Sequence, residues 1–168
     1  MIEACKQGER KAQTELYSLY AKAMFNVAYR ILNSVHEAED AMQEAFIKAF
    51  DKLDTYSGTV SFGAWLKKIV VNTSLDVLRK RKEFFEDIEQ HPDFVEEDTG
   101  NNENEIIFEA KKIKEAIMKL PTGYRIILSL YLLDGYDHDE ISGILNISAS
   151  TSRSQLARAK KKLIELLK

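Results

Sequence analysis

The chain has 168 residues, a formal net charge of −3, and a composition that is 45% hydrophobic and 30% charged. These values are ordinary for a soluble folded protein, and only 2 Pro and 7 Gly favour long helices over a turn-rich β fold. No apolar run reaches the roughly 18 residues that a bilayer span requires, so membrane insertion is not predicted.

The N-terminal segment and the cysteine content bear on the compartment. "MIEACKQGER" lacks the apolar stretch of a signal peptide. Cys5 is the single cysteine, so an internal disulfide cannot form. We therefore predict a cytoplasmic protein.

Three helices are predicted in the first half of the chain. The first covers residues 9–33 and places apolar or small side chains on one face: Leu16, Tyr20, Ala23, Val27 and Ile31. Ser34, followed three residues later by Glu37, is a capping-box pattern and predicts a second helix to about residue 53. That helix is expected to bury Ala38, Ala41, Met42, Ala45, Phe46 and Ala49.

A loop and a third helix complete the first unit. Residues 54–61, "DTYSGTVS", are dense in turn formers and predict a loop. The third helix, from about residue 62 to residue 82, is expected to bury Trp65, Ile69 and Leu78. Three helices with short connections predict a compact unit.

A composition change then separates two parts of the chain. Residues 83–110 contain eleven Asp and Glu and no Lys or Arg, and most of this segment has no sustained periodicity. Such composition is typical of a flexible linker. We expect an acidic linker over residues 84–106.

The second unit contains a predicted helix-turn-helix. Helical spacing returns at Ile106 and Phe108, continues through Ile113, Ile117 and Leu120, and stops at Pro121. A short apolar helix is then expected to end at Gly135. Asp137 with Glu140, and later Ser148, are predicted N-caps of the last two helices. Two short helices joined by a tight turn form the helix-turn-helix outline.

Positive charge is concentrated in two segments. Residues 67–82 hold six basic residues against Asp76, and residues 153–168 hold six against Glu165, so each segment has a local charge of +5. A basic helix is often only a solvated surface. Here one of them is the second helix of a helix-turn-helix, which enters the major groove in such modules. The charge map therefore favours nucleic-acid binding.

An acidic stripe lies on the second helix. Glu37, Asp40 and Glu44 share helical spacing, but the three histidines His36, His91 and His138 are scattered along the chain, so no metal site is predicted. The stripe could be a solvated face or a protein-contact surface, and composition does not separate the two. Phosphate-binding glycine loops and paired zinc ligands are missing, so we predict neither catalysis nor a cofactor.

Three stretches together carry a family resemblance. "EAEDAMQEAFIKAF", "FGAWLKKIVVNTSLDVLRKRK" and "LPTGYRIILSLYLLDGYDHDEISGILNISASTSRSQLARAKKKL" resemble the extracytoplasmic-function group of the sigma-70 family of bacterial RNA polymerase sigma factors. The resemblance implies an all-α chain of two helical domains and a linker: region 2 (1–83), a linker (84–106) and region 4 (107–168). The partners implied are core RNA polymerase, promoter DNA and an anti-sigma factor.

The resemblance also implies roles for individual residues. The helix with Asp40, Gln43 and Glu44 would contact the polymerase, and Tyr56 with Asn72 would hold a base flipped out of the single-stranded minus-ten element. Six basic residues would follow the phosphates of melting DNA: Lys67, Lys68, Arg79, Lys80, Arg81 and Lys82. Five residues of the last helix would face the duplex minus-thirty-five element: Arg153, Ser154, Gln155, Arg158 and Lys161.

Two other functional classes stay open at this point. A stand-alone helix-turn-helix regulator would bind a duplex site by itself, usually as a dimer on a palindrome. A helical adaptor would bind only protein and would retain its partner at high salt. The predicted function is that of a sigma factor that directs promoter recognition and DNA melting.

Overall fold

The computed structural model of the chain describes residues 1–81 and 110–168. The chain divides into two compact units, Met1–Lys82 and Glu83–Lys168. All regular structure in the described residues is helical, which confirms the predicted all-α class with two helical units. Within those two ranges, no helix combines the length and the apolar character that a bilayer crossing needs.

The first unit is a bundle of three long helices preceded by a short one. Helix α1 covers Ile2–Lys6, α2 covers Arg10–Leu32, α3 covers Val35–Asp51 and α4 covers Phe62–Arg81. A 3₁₀ turn, Leu53–Thr55, follows α3. Helices α2, α3 and α4 all pack against one another. Each therefore buries a broad apolar stripe between two neighbours.

The connection between α2 and α3 follows the predicted capping pattern. Asn33 ends α2 in the left-handed region, with φ of 51°, a conformation that Asn tolerates better than most residues. The hydroxyl of Ser34 then accepts a hydrogen bond from the amide of Glu37 at 3.4 Å, so Ser34 is the N-cap of α3. All six residues that were predicted to be buried in α3 are buried.

The predicted core faces of α2 and α4 needed correction. Ala23 is exposed, and Met24 and Ala28 take the buried positions because α2 must face two helices rather than one. In α4, Leu78 is buried as predicted, but Trp65 and Ile69 are only half-buried. The face of α4 that enters the bundle is instead formed by Phe62, Leu66, Val70, Val71, Leu75 and Leu78.

The second unit is described from α5, Ala110–Met118, onwards. Ile117 and Leu120 are buried as predicted, Ile113 is half-buried, and Ile106 and Phe108 lie outside the described residues. Helix α6, Thr122–Leu128, starts directly after Pro121. Pro121 has no backbone N–H to donate, so it ends one helix and precedes the next without losing a hydrogen bond.

The apolar helix after Pro121 changes its winding before it ends. Residues Ser129–Leu133 form a π-helical segment, in which the amide of Asp134 donates to the carbonyl of Ser129 at 2.9 Å. Gly135, with φ of 77°, terminates the helix as predicted, because glycine carries no Cβ to clash in this conformation.

The last two helices form the predicted helix-turn-helix. Asp137 and Glu140 make a complete capping box at the start of α7, His138–Leu145, and Asn146 ends that helix with φ of 56°. Ser148 accepts a hydrogen bond from the amide of Thr151 at 3.0 Å and caps α8, Ala149–Leu167. Helix α8 packs on α5, α6 and α7. It therefore sits against the rest of its unit along one side only, and the opposite side faces out.

Candidate nucleic-acid interface

An exposed stripe runs along α4 on the side that leaves the bundle. Trp65, Ile69 and Asn72 are spaced four and three residues apart, so they lie along one side of the helix. Lys68 and Asn72 are exposed, and Trp65 and Ile69 are half-buried. The stripe thus combines an aromatic ring, a cation and an amide, which are the groups that unpaired nucleotides require for stacking, charge and edge recognition.

The loop before α4 is fixed to the beginning of this stripe by aromatic contacts. The Tyr56 hydroxyl donates to the carbonyl of Val60 at 2.6 Å, which closes the loop. The Tyr56 ring centroid lies 5.3 Å from that of Trp65 and 5.7 Å from that of Phe62, whose ring also meets Tyr20 at 5.3 Å. Such edge and tilted contacts stabilise ring pairs beyond their buried area. The loop is therefore held in one place on α4.

Tyr56 and Asn72 are on the same side of α4 but at different levels. Trp65 touches Tyr56, and Asn72 lies seven residues further along the helix, which corresponds to roughly 10 Å at 1.5 Å per residue. Lys68 and Ile69 lie on α4 between these two levels. Trp65 is a candidate contact that sequence reasoning missed, because its spacing is equally compatible with a buried position.

The basic residues of α4 differ in their surroundings. Lys68 and Lys80 are exposed and Lys67 is half-buried, whereas Arg79 pairs with Asp76 at 2.9 Å on the same helix. Arg81 pairs with the carboxylate of Glu37 at the start of α3. Lys82 lies outside the described residues. Lys68 and Lys80 are thus the cations of α4 that are best placed to meet a phosphate.

The acidic side of α3 is exposed and includes one apolar residue. Asp40, Gln43 and Glu44 are exposed, and Ile47 follows on the same face with 62% of its surface accessible. Asp40 lies 3.5 Å from His36, and Glu44 lies 2.7 Å from Lys48. Glu37 is not part of this surface, since its carboxylate is turned towards Arg81. We call Asp40, Gln43, Glu44 and Ile47 the α3 surface.

The outer side of α8 carries the candidate duplex contacts. Arg153 and Lys161 are exposed, Arg158 is half-buried, and Ser154 donates its hydroxyl to the carbonyl of Ser150 at 3.0 Å. Gln155 was predicted to face DNA, and the structure contradicts this. Its side chain is only 2% exposed, because Gln155 stands on the packed side of α8 together with Leu156, Ala159 and Leu163.

In the N-terminal half of α8, the side chains along the middle of the outer side are short, and those on its two flanks are charged. A 3.6-residue period places Ser150, Ser154 and Ala157 on the side opposite the buried Ala159, with Arg153 and Arg158 on either flank. Short side chains at the centre let a helix approach base edges closely, and arginine can bond a guanine edge through two hydrogen bonds.

The beginning of α8 is tied to α7 and to the π-helical segment through His138. The His138 Nδ1 lies 2.8 Å from the Ser152 hydroxyl, and its ring stacks on Tyr131 with centroids 4.8 Å apart. The ammonium of Lys160 lies 5.8 Å from the centroid of the Tyr131 ring. Burial, followed by the positive charge of Arg153, lowers the pKa of His138, so the ring is neutral at neutral pH.

The chemistry that these surfaces support is recognition. Among residues 1–81 and 110–168, no group of three or more His, Cys, Asp and Glu side chains is placed to hold a metal ion. The cations and amides described above can bond phosphates and base edges, and the aromatic rings can stack on bases. Each unit thus has one face suited to nucleic acid, and the first unit also has the α3 surface.

The chain matches two protein families over its two units. Residues 16–84 match the family described as Sigma-70 region 2, and residues 110–163 match the family described as Sigma-70, region 4. The first match includes α3, the loop and α4, and the second includes the entire helix-turn-helix up to Leu163.

Two relatives are similar to the chain over most of their length. The chain is 30% identical over 177 residues to the ECF RNA polymerase sigma factor SigW of Bacillus subtilis, which covers 99% of this chain and 95% of the relative. It is 29% identical over 170 residues to the ECF RNA polymerase sigma-E factor of Escherichia coli, with 95% and 88% covered.

Solved structures share the fold. The sigma factor RpoE of Bartonella quintana, in complex with the anti-sigma factor NepR, has a TM-score of 0.61 at 23% identity and covers 94% of this chain and 97% of its own. CnrH, in complex with the cytosolic domain of CnrY, has a TM-score of 0.58 at 21% identity, with 99% and 94% covered. At these identities the likeness concerns the fold.

Proposed function

Because the chain belongs to the extracytoplasmic-function group of the sigma-70 family, we propose that its two units bind two separate elements of one promoter. The chain is a sigma factor, which binds core RNA polymerase and directs promoter recognition and DNA melting. Sigma factors are not enzymes, and we assign no bond chemistry to this chain. We also place it in the cytoplasm, where RNA polymerase acts.

The division of labour follows the division of the chain. We assign residues 1–83 to polymerase binding and the minus-ten element, residues 107–168 to the minus-thirty-five element, and residues 84–106 to the connection. The observation that carries this proposal is that each unit has one polar, cationic face on a helix whose other side forms the core. Linking two weak sites makes the second binding step effectively intramolecular, which strengthens both.

In the first unit, the stripe on α4 is proposed to hold unpaired bases of the minus-ten element. Asn72 offers an amide to a base edge, and Tyr56 and Trp65 form an aromatic surface two helical turns away. This separation accommodates more than one nucleotide, so we assign the two ends of the stripe to neighbouring bases. Lys68 and Lys80 are assigned to the phosphates, and Arg81 is assigned mainly to the fold because it pairs with Glu37.

In the second unit, the outer side of α8 is proposed to lie in the major groove. Arg153, Ser154 and Arg158 are assigned to base edges, and Lys161 is assigned to phosphate. Gln155 is excluded from the proposed contacts because it is buried. The exposed N-terminal turns of α8 are the part that a groove can reach, as in other helix-turn-helix modules.

Two protein partners are proposed for separate surfaces. The α3 surface is assigned to core polymerase, since an exposed Ile47 among charged side chains resembles the apolar centre and polar rim of a protein interface. Solved relatives have been captured with an anti-sigma factor or with the cytosolic domain of CnrY. We propose that an anti-sigma factor also binds this chain while the genes that the chain controls are not transcribed.

The test is transcription with purified components. Core RNA polymerase mixed with this chain should start transcripts at a defined set of promoters, and core enzyme alone should not. Cleavage between the two units should abolish these starts even when both fragments are supplied. A chain that binds a duplex site tightly without polymerase would instead be a stand-alone regulator. A chain that keeps a protein partner at high salt and never requires DNA would be an adaptor.

A further inference from the structure

His138 connects three elements of the second unit at the point where α8 begins. It is the first residue of α7, and its Nδ1 meets the hydroxyl of Ser152 on α8 at 2.8 Å. Ser152 is completely buried on the packed side of α8, one residue before the exposed Arg153. A contact at this position acts directly on the turn of α8 that carries the candidate base contacts.

The same ring is held from its other side. It stacks on Tyr131 of the π-helical segment with ring planes 23° apart, and Lys160 of α8 approaches the same tyrosine ring at 5.8 Å. A nearly parallel stack limits rotation of the imidazole about its side-chain bonds. The hydrogen bond to Ser152 therefore has a fixed direction as well as a fixed length.

The groups around His138 keep the contact neutral. Arg153 and Lys160 face it from α8, Asp137 and Asp139 flank it on α7, and Tyr131 faces it from the π-helical segment. Burial and the two cations disfavour a charged imidazole, and the two carboxylates oppose them only in part. Ser152 thus meets an uncharged ring, whose Nδ1 donates to the hydroxyl in one tautomer and accepts from it in the other.

We propose that His138 is a positioning residue that sets the angle and axial position of α8, so that Arg153 and Arg158 reach base edges together. This inference rests on the proposed duplex contact of α8. The turn between α7 and α8 has only three residues, so a contact between the first residue of α7 and the first turn of α8 constrains how the two helices are placed. A bidentate arginine contact tolerates only small errors in position, so the His138–Ser152 bond would control discrimination between sequences.

The experiment uses the full chain bound to core polymerase. A preferred upstream duplex is first selected from a randomised library, and affinities for this duplex and a scrambled one are then measured. Ser152→Ala and His138→Phe each remove the hydrogen bond, and His138→Phe keeps an aromatic ring for the stack. Each should lower the ratio of the two affinities roughly two- to tenfold, which corresponds to one net hydrogen bond. The double variant should lower it no further than either single variant.

The rescue variant separates positioning from simple stability. His138→Asn places an amide where Nδ1 stood, so it should retain most of the discrimination although it loses the stack. If all variants melt at lower temperature yet discriminate like wild type well below that temperature, His138 is only a structural residue and the inference fails. If wild-type holoenzyme selects no upstream sequence at all, the proposed duplex contact of α8 fails first, and the inference fails with it.

Discussion

The carboxylate of Glu37, in the first turn of α3, pairs with the guanidinium of Arg81, in the last turn of α4. Both side chains are half-buried, and the pair joins helix ends that are far apart in the sequence. A cation that is held in this way is poorly available to DNA, although its neighbour Lys80 is exposed.

Arg81→Ala and Lys80→Ala should therefore act on different properties. Arg81→Ala should lower the stability of the first unit by about 1 kcal/mol, since a partly exposed pair is weakened by solvent. That loss corresponds to a fall in melting temperature of roughly 4–8 °C for a unit of this size. Lys80→Ala should leave the melting temperature unchanged and weaken DNA binding. If both variants lose the same DNA affinity and have the same melting temperature, Arg81 is a phosphate contact.

Asn72→Ala should impair promoter opening without affecting the fold. Asn72 is exposed, so its removal leaves no buried group without a partner. Loss of a base-edge contact should cost about 1–3 kcal/mol in open-complex formation, which permanganate footprinting of the melted region measures. Asn26→Ala, an exposed asparagine on α2, is the matched control. Normal opening by Asn72→Ala would show that the amide does not touch the minus-ten element.

Ile47→Ser should weaken the binding of core polymerase. The side chains whose truncation costs more than about 1 kcal/mol of affinity cluster near the centre of an interface, where Ile47 is placed on the α3 surface. Leu19→Ser is the matched control, because Leu19 is similarly exposed, at 64%, but lies on α2. Fluorescence titration of labelled protein with core enzyme would report both affinities. Identical affinities for the two variants would remove Ile47 from the polymerase contact.

Arg158→Ala and Lys161→Ala should differ in sequence dependence. Arg158→Ala should cost about 1–3 kcal/mol on the preferred duplex and relax selectivity at one position. Lys161→Ala should weaken all duplexes alike and reduce the salt dependence of binding by about one counterion. Lys162, which pairs with Glu165 at 3.2 Å, supplies a control that should change less. If Arg158→Ala lowers the affinity for all duplexes equally, Arg158 is a phosphate contact.

The stability of the second unit should fall in mild acid. Its environment lowers the pKa of His138 below the ordinary value of 6.5, so the unfolded chain binds more protons than the folded one between the two values. Stability should therefore decrease as pH falls through 6.5 and level off below the folded pKa. Urea unfolding followed by NMR signals of the second unit measures this. The free energy of unfolding should depend less on pH in His138→Phe. An unchanged dependence would show that other groups cause it.

Local signals in the sequence predicted the helix boundaries well. The caps at Ser34, Asp137 and Ser148 depend on residues within one turn, and the turn at Gly135 depends on a single glycine conformation. Such features are decided by short-range sterics and hydrogen bonds, so they can be read without knowledge of the neighbouring helices.

Features that depend on distant neighbours were harder to predict. Helical spacing alone does not show that Trp65 belongs to the edge of the bundle, or that Gln155 turns towards the core of the second unit. The pairing of Glu37 with Arg81 joins two helices, and the π-helical winding at Ser129–Leu133 has no simple sequence signature. Tertiary packing decides all of these, and it also decides which of the basic residues remain available to DNA.

The separation into two helical units has a consequence for how the chain folds during synthesis. Within Met1–Lys82 the helices pack mainly against their neighbours in the chain, a topology of low contact order that typically folds within microseconds to milliseconds. At roughly 5–20 residues per second, the ribosome needs seconds to complete the second unit. The first unit can therefore reach its native state, with its α3 surface formed, before the helix-turn-helix has been translated.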